Sequence, residues 1–358
     1  MHLVCDENLS CAEYFFSSFG AITTRAGRLI TQDDLVDADV LLVRSVTRVN
    51  PALLQHTPVK FVGSATIGTD HLDLEGLKQA GVHVVNAAGC NAQAVAEYVI
   101  TAILTLRPEV LHQDPPLRLG IVGLGNVGTR LARLAQQLGI EVLGCDPWVS
   151  HDHIPLLQLD EVLAQADVVS LHVPLVRSGD YPTYHLIDEQ AFAAMRPHTM
   201  LINSSRGAVV KESALLADLA QHQRAVVLDV FEHEPEISED LLSKLALATP
   251  HIAGYSLEGK VRGTAMLYEQ FCQWRGITPQ RDLNDVLPKI SHVFEPNVSL
   301  KHQLLTHLTE LYDIKRDDAA LRACIKQGCV DAVAFDRLRK EYPLRREWAA
   351  YGAELCSR

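Results

Sequence analysis

The stretch LRLGIVGLGNVGTRLARLAQQLGIEVLGCDP, residues 117 to 147, constrains the fold more than any other part of the chain. An apolar run leads into Gly123, Gly125 and Gly128, an amphipathic segment follows, and Gly139 stops it before a second apolar run. Strand, glycine turn, helix and strand together form the βαβ unit that opens a dinucleotide-binding sheet. The first glycine permits the tight turn, the second lets a pyrophosphate approach the backbone, and the third lets the helix lie close against the strand. Asn126 and Val127 open the helix, where free N–H groups and the positive end of the helix dipole face the phosphates. Asp146 ends the second strand, and a carboxylate there accepts hydrogen bonds from the adenosine ribose and repels a 2′-phosphate. The expected cofactor is therefore NAD rather than NADP. A bare G-x-G-x-x-G is a weak signal and Asp146 alone reads as a turn aspartate before Pro147. The flanking strands and helix carry the argument.

The same rhythm runs through most of the 358 residues, a length that predicts more than one core. ADVVSLHVPL, TMLINSSRG, RAVVLDVFEHEP and LALATPHIAG are apolar runs ending in polar or turn residues, and helical stretches such as DEQAFAAM and KESALLADLAQH separate them. This alternation predicts a doubly wound parallel sheet, a Rossmann-like NAD-binding domain over residues 93–254. ADVLLVRS, VKFVG and VHVVNAAG, with the helical DLEGLKQAG between the last two, predict a second parallel α/β domain over residues 1–92. NAQAVAEYVITAILTL reads as a connector helix that halts at Pro108, and LEGKVRGTAMLYEQFCQW as a helix returning to the first domain. From residue 277 to 358 the glycine-rich turns cease. PKISHVFEP suggests a strand and HQLLTHLTELYDIKRDDAALRACI helices, so a small α+β C-terminal domain is expected.

Charge and composition narrow the function. With 44 acidic against 32 basic residues the net charge is −12, which argues against a nucleic-acid partner. An anionic substrate then needs a local positive pocket set against the overall field. MHLVCDENLS lacks a secretion signal and no apolar run is long enough to span a bilayer, so a cytoplasmic chain with no membrane partner is expected. The eight cysteines contain no CxxC pair and read as reduced, mostly buried small hydrophobes. No HExxH or clustered Cys/His set occurs, so no metal is expected.

Three polar residues fall at or just beyond the ends of later predicted strands, where an open α/β sheet places its ligands. Arg206 follows LINSS, Glu234 lies in VVLDVFEHE and His251 follows LALATP. Each has a bland alternative: a capping arginine, a surface glutamate in an acidic run, a core histidine. Together they suit hydride transfer from a 2-hydroxy acid. A histidine titrating near neutrality takes the hydroxyl proton, a carboxylate on its other ring nitrogen fixes the ring, and an arginine grips the substrate carboxylate.

The ordered set VGLGNVG, INSSRGAVV, LDVFEHEP and TPHIAG closely resembles the D-isomer-specific 2-hydroxyacid dehydrogenases. That resemblance implies catalytic roles for Arg206, Glu234 and His251, and a flavodoxin-like substrate domain over 1–92 completed by residues 255–276. For NAD it implies Asp146, Ser204, Ser205, Arg206, Asp229 and Gly254, with backbone contacts near Val173 and Pro174. Val173 departs from the threonine common in the family, which leaves a backbone contact there but removes a hydroxyl one. Finer stretches, including KFVGSATIGTDHLD, HIAGYSLEGKVRGT and YDIKRDDAALR, resemble a branch of the family that acts on a small anionic phosphorylated 2-hydroxy acid. They imply substrate contacts at Ser45, Thr66 and Tyr255, with Arg44 as an added cation, and a homodimer built through residues 277–358. A different phosphorylated 2-hydroxy acid, such as 3-phosphoglycerate, stays open at this stage, as does a non-catalytic NAD-sensing protein.

Overall fold

The structure is a computed structural model and describes residues 1–290, 294–295 and 297–352. It divides into two compact units, Met1–Asn91 with Ser256–Lys289, and Ala92–Tyr255 with Ile290–Arg358.

The first unit holds five strands: β1 (His2–Asp6), β2 (Ala21–Arg25), β3 (Val40–Val43), β4 (Phe61–Ser64) and β5 (His83–Asn86). They form one sheet in the order β2-β1-β3-β4-β5, with every pairing parallel. This is the flavodoxin-like order, and its switch point lies between β1 and β3. β3 and β4 are buried along their whole length, which explains their unbroken apolar sequence. The helix Leu257–Arg275 belongs to this unit and covers one face of the sheet. Its Phe271 is fully buried against Phe16, Phe19 and Phe61 in edge-on ring contacts. Ser256 caps it, accepting from the Gly259 amide at 2.9 Å, and Gly276 stops it in a left-handed turn.

The second unit opens with the helix Ala92–Leu106, ending just before Pro108 as its sequence predicts. Six strands follow: β6 (Arg118–Val122), β7 (Glu141–Cys145), β8 (Val168–Leu171), β9 (Met200–Asn203), β10 (Val226–Leu228) and β11 (Leu247–Ala248). Their order is β11-β10-β9-β8-β6-β7, all parallel. A parallel bridge from Gly144 to Leu156 stands where a further strand would flank β7. With that bridge counted, the order is the dinucleotide-binding one, reversing between β6 and β8.

The C-terminal residues contain the helices Leu300–Leu311, Ile314–Arg322 and Ala332–Lys340, and the short antiparallel pair β12 (Ile325–Lys326) and β13 (Cys329–Val330). An α+β segment is what the sequence predicts, but among the described residues it does not build a core of its own. Leu304, Leu311, Tyr312, Ile314 and Trp348 share one cluster with the helix Ala92–Leu106 and with β6 and β7. Leu321, Val330 and Phe335 share another with β9 and β10. These amphipathic helices have too little apolar surface to close on themselves, so they bury it against the larger sheet. Residues 277–289, expected to open this segment, sit instead with the first unit. The strand expected in PKISHVFEP falls partly on residues 291–293 and 296, outside the described residues, and its described neighbours form no strand. No helix among the described residues is long and apolar enough to cross a membrane.

Candidate active site

The glycine turn lies at the switch point of the second sheet, and its three glycines meet three different surroundings. Gly123 has φ +93°, and a Cβ there would lie 2.7 Å from the His172 carbonyl oxygen at the end of β8. Gly128, in the first turn of the helix Asn126–Gln137, would put a Cβ 1.9 Å from the Gly123 carbonyl oxygen. A Cβ on Gly125 meets no protein atom within 4 Å. Packing therefore explains Gly123 and Gly128, whereas the space at Gly125 suits a ligand that approaches the backbone closely. Asp146, just past β7, accepts from the Leu124 amide at 2.8 Å and from the Trp148 amide at 2.9 Å. Its carboxylate is thus tied to the glycine turn. Ser204 Oγ is buried with no hydrogen-bond partner among the described residues, an atom that a bound polar ligand would satisfy. Val173 is half-buried beside Gly123, and Pro174 is exposed. The donor set, the open space at Gly125 and the anchored Asp146 fit a dinucleotide.

Arg206 follows β9 in a tightly tied turn. Asn203 accepts from the Ser205 amide and hydroxyl at 3.0 and 2.8 Å and donates its own amide to the Arg206 carbonyl at 3.0 Å. The next residue, Gly207, admits no side chain: a Cβ would lie 1.8 Å from the Phe231 carbonyl oxygen. This close approach joins the Arg206 turn to the loop after β10. In that loop Glu234 accepts the Phe231 amide at 2.8 Å with one carboxylate oxygen and meets His251 Nδ1 at 2.9 Å with the other. Burial pushes the Glu234 carboxyl up. The hydrogen bond and charge of His251, the Phe231 amide and the Arg339 charge outweigh burial and hold it below the ordinary glutamate value.

His251 has φ +57°, in the left-handed region that a histidine adopts at a cost. The backbone around it is gripped from within the sheet by Asp229, which is buried just beyond β10. One oxygen of Asp229 accepts from Thr249 Oγ1 at 2.7 Å and from the Ile252 amide at 2.8 Å, and the other accepts from the Ala253 amide at 2.9 Å. Burial raises the Asp229 carboxyl above the usual aspartate value, although the His251 charge and these three donors oppose it. Tyr98 extends the network, its hydroxyl 2.7 Å from Thr249 Oγ1. Gly254 and Tyr255 close the loop, and the Tyr255 hydroxyl lies 3.5 Å from a guanidinium nitrogen of Arg339. A second histidine, His172, follows β8. Burial takes His172 down to about 3, so it stays neutral, bonded to Ser170 Oγ at 2.8 Å.

In the first unit Arg44 and Ser45 follow β3 at the switch point, Ser45 exposed and Arg44 half-buried. Thr66 follows β4, its hydroxyl 2.7 Å from Ser64 Oγ, which in turn meets His71 Nε2 at 2.8 Å. Lys260, in the first turn of the helix Leu257–Arg275, is a cation that sequence reasoning missed. Burial, and then the neighbouring Arg44 guanidinium, bring its ammonium from 10.5 down to about 8. Asp229 as the organiser of the His251 loop and Arg339 beside Tyr255 were likewise not legible from local pattern.

Residues 110–253 match the family model described as the D-isomer specific 2-hydroxyacid dehydrogenase, NAD binding domain, and residues 288–356 match a domain of unknown function. The chain is 58% identical over 352 residues, 98% of its length and 99% of the relative's, to an erythronate-4-phosphate dehydrogenase of Acinetobacter baumannii. It is 47% identical, with 97% of each chain covered, to the enzyme so named from Psychrobacter cryohalolentis. Among solved structures, the TT0316 protein of Thermus thermophilus matches with TM-score 0.66 and 25% identity over 78% of this chain and 99% of that one. D-lactate dehydrogenase from Aquifex aeolicus, complexed with NAD and lactic acid, shares the fold at TM-score 0.62 and 22% identity, over 77% of this chain and 96% of that one. The chain belongs to the D-isomer-specific 2-hydroxyacid dehydrogenases and, within them, to the erythronate-4-phosphate dehydrogenase family.

The glycine surroundings generate a stability test on the ligand-free protein. Gly128→Ala and Gly207→Ala, each forcing backbone to move, are expected to lower the urea midpoint by an amount worth about 2 kcal/mol or more. Gly125→Ala, a helix-cap change with open space, is expected to cost about 1 kcal/mol or less. Equal losses at all three positions would contradict the packing account.

Proposed function

We propose that this NAD-dependent dehydrogenase oxidises 4-phospho-D-erythronate to (R)-3-hydroxy-2-oxo-4-phosphooxybutanoate, a step of pyridoxal 5′-phosphate biosynthesis, in the cytoplasm. The observation that carries the reading is the 2.9 Å contact of His251 Nδ1 with the anchored Glu234 carboxylate, set at the C-terminal end of a dinucleotide-binding sheet. An ionised carboxylate only accepts, so Nδ1 carries the hydrogen and Nε2 keeps the lone pair. His251 Nε2 takes the proton of the C2 hydroxyl, and Glu234 stabilises the imidazolium that forms. Arg206 holds the substrate carboxylate and polarises the reacting oxygen. Bound NAD supplies the acceptor for the C2 hydride. Gly123, Gly125, Asn126, Val127 and Gly128 hold its pyrophosphate and Asp146 its adenosine ribose. Val173, Pro174, Ser204, Ser205, Arg206, Asp229 and Gly254 complete the cofactor set. Phosphate recognition falls to Arg44, Ser45, Thr66 and Lys260, and Tyr255 is a further substrate contact.

The assay follows nicotinamide absorbance after 4-phospho-D-erythronate is added to NAD-loaded protein. Wild type is expected to form NADH, with His251→Asn slower by about 10²–10⁴-fold. Equal turnover of 3-phosphoglycerate contradicts the substrate assignment, and an unimpaired His251→Asn contradicts the base.

Lys260 adds a pH signature. Its folded-state value near 8 means that the cation is present below that pH and is lost as pH rises through it. The kcat/KM for the phosphorylated acid is expected to fall above pH about 8, because this ratio reports the free enzyme. That limb is expected to vanish in Lys260→Gln. A limb that persists in the variant belongs to another group.

The C-terminal segment is also proposed to join two copies of the chain, since Leu305 and Val333 are exposed apolar side chains on its helices. Sedimentation of the full chain at micromolar concentration is expected to give a dimer. A monomer there contradicts this part.

A further inference from the structure

Residues 288–356 match a domain of unknown function, and a buried arginine there points to a role inside the chain's own active site. Arg345 is 9% exposed. Its Nη1 donates to the carbonyl oxygens of Ile252 at 3.2 Å and Tyr255 at 3.4 Å. Its Nη2 donates to Ala94 at 3.0 Å and also to Ala253. One guanidinium thus ties three carbonyls of the loop that follows His251 to the helix Ala92–Leu106.

The arginine is itself held in place. Its Cζ lies 4.4 Å from the centre of the Tyr312 ring, over its face. The Tyr342 hydroxyl accepts from it and donates to Asp317 at 2.8 Å. Glu97 and Glu347 are buried nearby, and both Glu97 oxygens accept the Trp348 amide, at 3.0 and 3.1 Å. Glu97 is pushed well up by burial and by the Glu347 charge. Buried charge assembled at this density is expensive unless geometry satisfies it, and the carbonyls of the His251 loop are part of what satisfies Arg345. A second tether from the same segment lies just upstream. Asp318 accepts the amide of Ala248 on β11 at 2.8 Å.

The loop is therefore gripped from two sides. Asp229 takes the amides of Ile252 and Ala253 from within the sheet. Arg345 takes the carbonyls of Ile252, Ala253 and Tyr255 from the C-terminal segment. We propose that Arg345 is a positioning residue for the reaction: it fixes the carbonyl side of the His251 loop, so the C-terminal segment of each chain completes that chain's own catalytic apparatus. A lysine cannot substitute, because its single ammonium has no planar fork to span four carbonyls.

The inference rests on the reading of His251 as the base, and the experiment separates the two. Arg345→Lys and His251→Asn are compared with wild type for turnover of 4-phospho-D-erythronate, resolved into kcat and KM, and for NAD affinity and sedimentation. Arg345→Lys is expected to lower kcat by about 10- to 100-fold, the scale of a 1 Å misplacement. Its sedimentation is expected to match wild type, and its loss of kcat to exceed any change in KM or NAD affinity, to which Tyr255 and Gly254 of the same loop contribute; general unfolding does not produce that split. Wild-type kcat in a folded Arg345→Lys overturns the proposal, as does a loss of kcat matched by equal loss of NAD binding. Should that variant fail to fold, Tyr342→Phe removes one anchor of the guanidinium with little change of shape. It is expected to lower kcat a few-fold, by more than any change in NAD affinity, and an unchanged kcat overturns the proposal. If His251→Asn turns over normally, the reading of the base fails instead.

Discussion

Asp229 accepts three hydrogen bonds from Thr249, Ile252 and Ala253, and between the first of those donors and the other two stands His251, the proposed base. His251 sits in a left-handed backbone conformation, which costs an L-residue about 1–2 kcal/mol. A hydrogen bond to a charged group contributes about 1.5–3 kcal/mol. The three Asp229 bonds oppose that strain and hold the loop in place. Without that grip the ring would not be held 2.9 Å from Glu234.

The surrounding backbone serves the same end. β9, β10 and β11 are neighbours in the sheet, so the turns that carry Arg206, Glu234 and His251 emerge side by side. Gly207 lets the first two turns touch at main-chain distance. The Phe231 amide then anchors the carboxylate oxygen that His251 does not use. Each functional side chain thus has its orientation set by a main-chain contact one step away, which is what a preorganised site requires.

How much of this the sequence revealed depends on how local the signal is. The glycine turn, Asp146 and the Arg206, Glu234 and His251 positions are legible because each stands at the end of an apolar run, and a strand end is a short-range pattern. The parallel sheets follow for the same reason. The Arg345 grip is not legible: arginine and loop are 90 to 93 residues apart, and no periodicity links them. Asp318 and Ala248, 70 residues apart, escape notice in the same way. The C-terminal helices show an apolar stripe in sequence but not the surface that receives it, so they read as a separate domain although their side chains fill the core of the NAD-binding unit. Lys260 looks like an ordinary helix lysine until Arg44 is seen beside it.

In the proposed mechanism Glu234 holds His251 with its Nδ1 protonated and its Nε2 lone pair free for the substrate. Nitrogen-15 NMR of histidine-labelled protein, at a pH where the ring is neutral and with His251 assigned by its loss in His251→Asn, measures that tautomer directly. The account predicts a protonated Nδ1 and an unprotonated Nε2 for His251, with the preference reduced in Glu234→Gln. A His251 carrying its proton on Nε2 in the wild-type protein would contradict it.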